Sequence, residues 1–260
     1  MRRLLGARLL GARLLGAVLL VCSGVACTSS HTAAGPRASP AAVPLVYVAV
    51  GASESVGVGA TDPLRNAWTQ VFYRSALPRS AVFVNMAVSG STTADALANQ
   101  VPTAVGLSPD VVSVWLNVND LIHGVTPASY EADLTKLVSA LRRGGRTRVL
   151  LANTPPLDDL PAYLACLRTN GSIGISVCSL GQVTVPAAAM VVAAVDAYNA
   201  AIARVAAATG ATVVDLHAVG LAARKAGTEA SLVGNDGFHP SDAGHALVAK
   251  AFATAYRGAQ

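Results

Sequence analysis

The chain of 260 residues is 53% hydrophobic and only 13% charged, which supplies enough apolar material for a core and excludes a chain that is disordered throughout. Its formal net charge is +5, but four arginines and no acidic residue precede Cys27, and removing those four positive charges leaves +1. Such a balance does not favour a nucleic-acid partner.

Residues 1–26 are predicted to be a signal peptide. Arginines are followed by an uncharged, mostly apolar segment, 14–26, that is too short to stay in a bilayer as an anchor. The sequence Gly-Val-Ala-Cys at 24–27 resembles a lipoprotein cleavage site, so Cys27 is expected to become the lipidated first residue. An ordinary secretory signal is the alternative. Residues 27–44, rich in Ser, Thr, Ala and Pro, are predicted to be a disordered tether.

The remainder, 45–260, is predicted to be one domain. Apolar runs predict five buried strands, at 45–50, 81–85, 111–116, 148–153 and 211–215. Helical patterns lie between and after them, at 63–77, 93–105, 129–143, 186–208 and 242–256, whereas 216–238 is expected to be a loop. This alternation is typical of a parallel sheet covered on both faces, so the fold class is α/β, a doubly wound three-layer α/β/α sandwich.

Residues 154–185 interrupt the alternation with several prolines and glycines, and we expect irregular surface structure that influences specificity. Cys166 and Cys178 lie in this segment. If the signal peptide removes Cys22 and Cys27 is lipidated, these two cysteines remain as a pair that an oxidising compartment would allow to form a disulfide. Their spacing matches neither a Cys-x-x-Cys redox motif nor a zinc site.

Chemically useful residues follow the strands at their carboxyl ends, where such sheets bind ligands. Ser53 follows the first strand, Gly90 the second and Asn119 the third, while Asp236 and His239 follow the fifth. A serine hydroxyl needs a base, which histidine can supply near neutral pH, and the histidine needs a carboxylate to fix its tautomer.

The same rim also offers donors for a negatively charged oxygen. The backbone N–H groups of Ser53 and Gly90 and the side-chain amide of Asn119 could form an oxyanion hole. Each residue alone has a plainer explanation: Ser53 as a helix cap, Gly90 as a turn residue and Asn119 as a turn or cap residue. Their order on successive strand ends favours the catalytic interpretation.

These blocks resemble the SGNH or GDSL-type serine hydrolases, in order and over almost all of the chain beyond the signal peptide. The resemblance implies a flavodoxin-like sandwich that hydrolyses esters without a metal or organic cofactor. It implies Ser53 as nucleophile, Asp236 and His239 as the Asp-x-x-His block, and Gly90 and Asn119 as oxyanion-hole residues. Two positions depart from the family: Ala52 replaces the Asp of Gly-Asp-Ser, and Asn117 replaces the Gly of Gly-x-Asn-Asp.

Other candidates stay secondary. Asp215 and His217 could form a different acid–base pair, but a structural role within their loop is favoured. His123 is expected to be a loop residue and His245 a structural one. Glu54, directly after Ser53, is expected to be a favourable acid at a helix N-terminus.

The functional prediction is an exported serine esterase that acts on short-to-medium acyl or lipid esters. A carbohydrate O-deacetylase, a thioesterase or an acyl transferase with the same site is the first alternative, and a non-catalytic binding lipoprotein is the second. The expected partners are a small ester, a lipid or an acylated glycan, and the protein is expected to be a monomer.

Overall fold

A five-stranded parallel sheet lies at the centre of the structure, a computed structural model that describes residues 43–169 and 185–258. The strand order is β2-β1-β3-β4-β5, the flavodoxin-like order. The strands are β1 Val46–Gly51, β2 Val82–Asn85, β3 Val111–Trp115, β4 Arg148–Ala152 and β5 Thr212–Val214. The five predicted strands and the three-layer α/β/α architecture are therefore confirmed.

Helices cover both faces of this sheet. The helices before β3 are α1 Ser53–Val56, α2 Pro63–Asn66, α3 Trp68–Ala76, α4 Thr93–Asn99 and α5 Val101–Gly106. Those after β3 are α6 Val118–Ile122, α7 Pro127–Arg142, α8 Pro161–Thr169, α9 Ala188–Thr209, α10 Leu216–Lys225 and α11 Asp242–Gly258. Short 3₁₀ helices occupy Arg143–Gly145 and Glu229–Leu232.

The side chains of β1 divide between two hydrophobic clusters, because successive residues of a strand point to opposite faces. Val48 and Val50 pack with α4, α5, α7 and α9 on one face. Tyr47 and Ala49 pack with α3 and α11 on the other, where Trp68 stacks on Phe252 with 4.1 Å between ring centroids. The predicted continuous apolar runs thus reflect strands that are buried on both faces.

Helix α9 is long and apolar enough to cross a membrane by length and composition, with 22 residues and a mean hydropathy of 1.4. Its residues Tyr198, Ile202 and Val205 are buried in the cluster formed with the sheet and α7, and Val195 is buried in a separate cluster with Tyr163 and Cys166 of α8. One face of this helix is therefore a core face.

Two segments differ from the sequence predictions. The expected loop at 216–238 begins with α10, whose first turn is capped by the Asp215 side chain. The expected irregular segment at 154–185 contains α8, which starts at Pro161, a residue suited to a helix N-terminus. Cys166, which belongs to α8, is buried in a third apolar cluster. Cys178 lies outside the described residues, as do the predicted signal peptide, Cys27 and the tether up to residue 42, so the disulfide stays a prediction.

The register of the sheet places the candidate site. Gly51 at the end of β1 pairs with Trp115 at the end of β3, and Ala49 pairs with Asn85 at the end of β2. The loops that carry Ser53, Gly90 and Asn119 therefore leave the sheet at neighbouring points of one edge.

Candidate active site

Ser53 lies in a tight turn between β1 and α1. A Cβ atom at Gly51 would lie 2.2 Å from Ser55 Oγ, so this turn requires glycine at the end of the strand. Ala52 is the N-cap residue, Ser53 is the first residue of the helix, and α1 ends at Gly57 with φ 105°. The side chain of Ser53 is largely buried yet lies at the sheet edge, where it can meet a base.

The histidine predicted as base meets Ser53 directly. His239 Nε2 lies 2.9 Å from Ser53 Oγ, and His239 Nδ1 lies 2.6 Å from Asp236 Oδ2. The carboxylate therefore fixes the tautomer with hydrogen on Nδ1, which leaves Nε2 free to accept the serine proton. The structure thus brings together the three residues that the sequence predicted as nucleophile, base and orienting acid.

Asp236 is held in position by its own loop. Its Oδ1 accepts hydrogen bonds from the backbone N–H groups of Phe238 (2.9 Å) and His239 (3.0 Å). Burial opposes the charged form, but these bonds and the His239 side chain hold the pKa of Asp236 below its ordinary value. The group is therefore a carboxylate at neutral pH, as the orientation of His239 requires.

The loop that carries His239 is tied to the segment that follows α1. Asp242 accepts hydrogen bonds from Thr61 N (2.9 Å) and Thr61 Oγ1 (2.5 Å). The buried His245 accepts a bond from Trp68 N (3.3 Å) and donates from Nε2 to the carbonyl of Val58 (3.1 Å). Burial lowers the pKa of His245, in keeping with a neutral ring that bridges two segments. The structural role predicted for His245 is therefore visible in its contacts.

The two predicted oxyanion-hole residues lie in loops that contact each other. Gly90 has φ 82°, a left-handed conformation that favours glycine. Asn119 Nδ2 donates a hydrogen bond to the carbonyl of Ser91, the residue after Gly90, at 3.0 Å. This bond uses one of the two amide hydrogens and leaves the second for another acceptor. Asp120 supports the arrangement by accepting bonds from the backbone and hydroxyl groups of Thr93.

The two departures from the family pattern require no special backbone conformation, although the buried side chain of Asn117 has no hydrogen-bond partner among the described residues. Ala52 is buried in the cluster that packs against α4, α5, α7 and α9, where a carboxylate would lie in apolar surroundings. Asn117 has φ −168°, an extended backbone that does not require glycine. Neither substitution therefore disturbs the backbone at Ser53 or Asn119.

Gln100 is a positioning residue that the sequence analysis missed. Its buried side-chain amide accepts from Gly51 N and donates to Gly51 O, each at 3.0 Å. The same Nε2 lies 3.2 Å from Ser91 Oγ. One amide thus connects the turn of the nucleophile with the loop of Gly90. Its only sequence signal is a polar residue inside the helix predicted at 93–105.

The runner-up pair lies in a different network. The Asp215 carboxylate accepts from Ala218 N (2.9 Å) as the cap of α10, and it accepts from Asn153 Nδ2 (2.8 Å). His217 Nδ1 lies 3.1 Å from the carbonyl of Thr154. Both side chains therefore organise the ends of β4 and β5, which agrees with the structural role that was favoured for them. His123 Nδ1 contacts the carbonyl of Asn119 at 2.7 Å.

Glu54 lies in the first turn of α1, as expected from the sequence. Its side chain is buried beside Ser53, with Oε2 at 3.5 Å from Ser53 Oγ. Burial raises the pKa of this carboxyl group. The sequence gives no indication of this burial, because the apolar groups around Glu54 come from distant parts of the chain.

Two cavities adjoin the site. The first has a volume of about 120 Å³ and is lined by Glu54 and mostly apolar groups. The second has a volume of about 630 Å³, within the range of ligand-binding pockets. Its lining among the described residues is mainly apolar and includes Val118, Leu121, Val125, Tyr163, Val191 and Phe238. Both cavities are bordered by Val118, next to Asn119, and by Phe238, next to His239.

Comparisons with known proteins identify the family and support the fold. The model of the GDSL-like lipase/acylhydrolase family matches residues 49–247. An arylesterase of Vibrio mimicus is 26% identical over 106 residues, which are 40% of this chain and 53% of that relative. The alignment therefore spans about half the length of that relative.

Solved structures with a similar fold cover most of the chain. A lipase/acylhydrolase from Enterococcus faecalis matches with a TM-score of 0.60 and 20% identity, over 83% of this chain and 96% of that one. A mutant of an acetyl-xylooligosaccharide esterase from Geobacillus Stearmophilus matches with a TM-score of 0.59 and 21% identity, over 81% and 93%. At these identities the structures support the fold, and the family model, which matches more than half of the chain, shows that this protein belongs to the GDSL-like lipase/acylhydrolase family.

Proposed function

We propose that the protein is a serine hydrolase that cleaves carboxylic esters through Ser53, His239 and Asp236. The observation that carries this proposal is the unbroken chain of contacts from Asp236 Oδ2 to His239 Nδ1 and from His239 Nε2 to Ser53 Oγ. Membership of the family supports the same chemistry.

The proposed reaction has two stages. In the first, Ser53 Oγ bonds to the ester carbonyl carbon while its proton passes to His239 Nε2, and Asp236 stabilises the resulting imidazolium. The negative oxygen receives hydrogen bonds from the N–H groups of Ser53 and Gly90 and from the Asn119 amide. The carbon–oxygen bond to the alcohol then breaks, and the alcohol leaves with the proton from His239.

The second stage releases the acid. Water attacks the acyl group on Ser53 and gives a proton to His239, and this proton returns to Ser53 Oγ as the acid departs. The protein groups that carry these steps are Ser53, His239, Asp236, Gly90 and Asn119.

Labelling with a serine-reactive fluorophosphonate tests the proposal. We expect a covalent adduct on Ser53, located by peptide mass spectrometry, and no adduct in a folded Ser53→Ala protein. The same substitution should lower kcat by about 10⁴-fold or more. A wild-type protein that is folded but takes no label at Ser53 would favour a binding protein over an enzyme.

A matched pair of histidine variants identifies the base. His239→Gln should abolish turnover and labelling. His217→Gln, in the runner-up pair, should keep kcat within about tenfold of the wild type. The reverse result would assign the base to His217.

We further propose that the substrates carry an apolar group, because the cavity of about 630 Å³ beside Phe238 is lined mainly by apolar side chains. Apolar surface is favourably transferred into such a cavity, at about 25 cal/mol per Å². In a series of p-nitrophenyl esters, kcat/KM should rise from acetate to medium-length acyl groups. Acetylated glycans and thioesters in the same assay distinguish the deacetylase and thioesterase alternatives.

Export and lipid attachment are proposed from the sequence. The full-length protein, expressed in a host with lipoprotein processing, should fractionate with membranes, and Cys27→Ser should release it. Non-reducing mass spectrometry of the mature protein tests the proposed Cys166–Cys178 disulfide.

A further inference from the structure

Glu54 is a buried carboxylic acid that the proposed reaction does not use. Glu54 is only 8% exposed, and its Oε2 lies 3.5 Å from the nucleophilic Oγ of Ser53. The side chain lines the cavity of about 120 Å³. The apolar neighbours on the cavity wall include Trp115, Val118, Leu157, Phe238 and Pro240.

The surroundings of Glu54 favour its neutral form. Within the described residues, no lysine or arginine forms an ion pair with it. The second acid on the cavity wall, Glu229, is by contrast paired with Arg224 at 3.3 Å. Burial is the largest effect and raises the pKa of Glu54, although its backbone N–H, a positive charge on His239 and the contact with Ser53 each favour the ionised form. Burying a charged carboxylate in an apolar cavity without a cation is unfavourable, so the protonated form of Glu54 has the lower free energy.

The hydrogen bonds of Ser53 then have a definite direction. A serine hydroxyl carries one hydrogen, and two groups lie near it: His239 Nε2 at 2.9 Å and Glu54 Oε2 at 3.5 Å. An ionised Glu54 would compete with His239 for that hydrogen. A neutral Glu54 can instead donate its own hydrogen to Oγ, which leaves the serine hydrogen for Nε2.

We propose that Glu54 is a positioning residue that donates a hydrogen bond to Ser53 Oγ and turns the hydroxyl hydrogen toward His239 Nε2. This inference rests on the proposed esterase function. During attack the serine proton passes to Nε2 and the Oγ–carbon bond forms, while Glu54 retains its own proton. Ionisation of Glu54 at higher pH withdraws the hydrogen bond, so activity should decline on the alkaline side.

Two substitutions at Glu54 test the proposal with a soluble ester such as p-nitrophenyl acetate between pH 5 and 9. Glu54→Leu keeps a similar volume but cannot donate, so kcat should fall about 10- to 100-fold while KM stays within about threefold. Glu54→Gln donates through its amide at every pH. It should recover most of the kcat that leucine loses, and it should lack the alkaline decline of the wild type.

Glu229→Gln is the matched control, since it removes an acid from the same cavity wall and should keep the wild-type pH profile. A wild-type kcat in Glu54→Leu, or an unchanged alkaline decline in Glu54→Gln, would overturn the role of Glu54. If the leucine variant does not fold, as judged by circular dichroism, the pH profile of the glutamine variant decides alone. An inactive Ser53→Ala beside unaffected Glu54 variants would refute only this inference, whereas an active Ser53→Ala would refute the esterase mechanism itself.

Discussion

Gln100 binds both backbone polar groups of Gly51, although 49 positions separate the two residues in the chain. Gly51 ends the strand that leads to Ser53, and the same glutamine contacts Ser91, the residue after Gly90. The geometry of the site therefore depends on a side chain that need not touch the substrate.

Gln100→Leu should lower both stability and activity. The substitution leaves the buried N–H of Gly51 without its partner, at a cost of about 1–3 kcal/mol for the unpaired group, whereas the C=O keeps the bond from Val88 N (3.1 Å). We expect the free energy of unfolding in urea to fall by about 1–3 kcal/mol and kcat to fall more than KM rises. Gln70→Leu, the same change at a half-buried position in α3, is the control. Equal effects at both positions would show that the loss is not specific to Gly51.

Asp236→Asn should leave the fold intact but lower kcat by about 10⁴-fold. An amide can still accept the bonds from Phe238 and His239 through its oxygen, but it does not stabilise the imidazolium and permits the wrong tautomer. Steady-state kinetics and a thermal melt measure the two effects. A loss below tenfold would mean that Asp236 only shapes the loop.

Asn119→Ala should lower kcat by about 10²- to 10³-fold with little change in KM, because an oxyanion-hole donor acts mainly in the transition state. It also removes the bond to Ser91, so the melting temperature should be recorded alongside. Asn99→Ala, on the exposed surface of α4, should leave kcat unchanged. A rise in KM alone would instead assign Asn119 to ground-state binding.

His245 should contribute stability that disappears on acidification. Its folded pKa is lowered by burial, whereas an unfolded histidine titrates near 6.5. The contribution is therefore fully present above about pH 6.5 and is lost as the pH falls from there through the folded pKa, by at most about 1.4 kcal/mol per pH unit for one proton.

Comparing the unfolding free energy of the wild type with that of His245→Gln at each pH isolates the contribution of His245. Glu54 acts in the opposite direction, because its raised folded pKa makes stability fall as the pH rises above the ordinary range of glutamate. The informative quantity is thus the difference in unfolding free energy between wild type and variant, which should shrink from pH 8 to pH 5. A constant difference would show that the Trp68 and Val58 bonds do not depend on the charge of His245.

The sheet was predictable because buried parallel strands leave a strong local signal. The apolar run before Gly51 is one example, and the convergence of Ser53, Gly90 and Asn119 on one edge follows from the direction of parallel strands. Helix α10 was missed because Gly220 and His217 weaken its helical pattern. The structure explains that glycine, since a Cβ atom there would lie 2.5 Å from Pro156 Cδ.

Contacts between side chains that are far apart in the chain leave no pattern in the local sequence. Gln100 and Glu54 take their roles from what other segments place around them: a strand end in one case, an apolar cavity in the other. The sequence places an acid at the start of a helix after Ser53, and only the packing of α10, α11 and the 3₁₀ helix Glu229–Leu232 reveals that this acid is enclosed.

The distance in sequence between Ser53 and His239 has a consequence for biosynthesis. A ribosome adds Ser53 long before it adds Asp236 and His239, since 186 positions separate Ser53 from His239. A chain that stops short of His239 therefore carries the hydroxyl without its imidazole, and hydrolytic activity would report synthesis at least as far as that residue. A proteolytic cut that removed the His239 loop and α11 would likewise inactivate Ser53 without altering it.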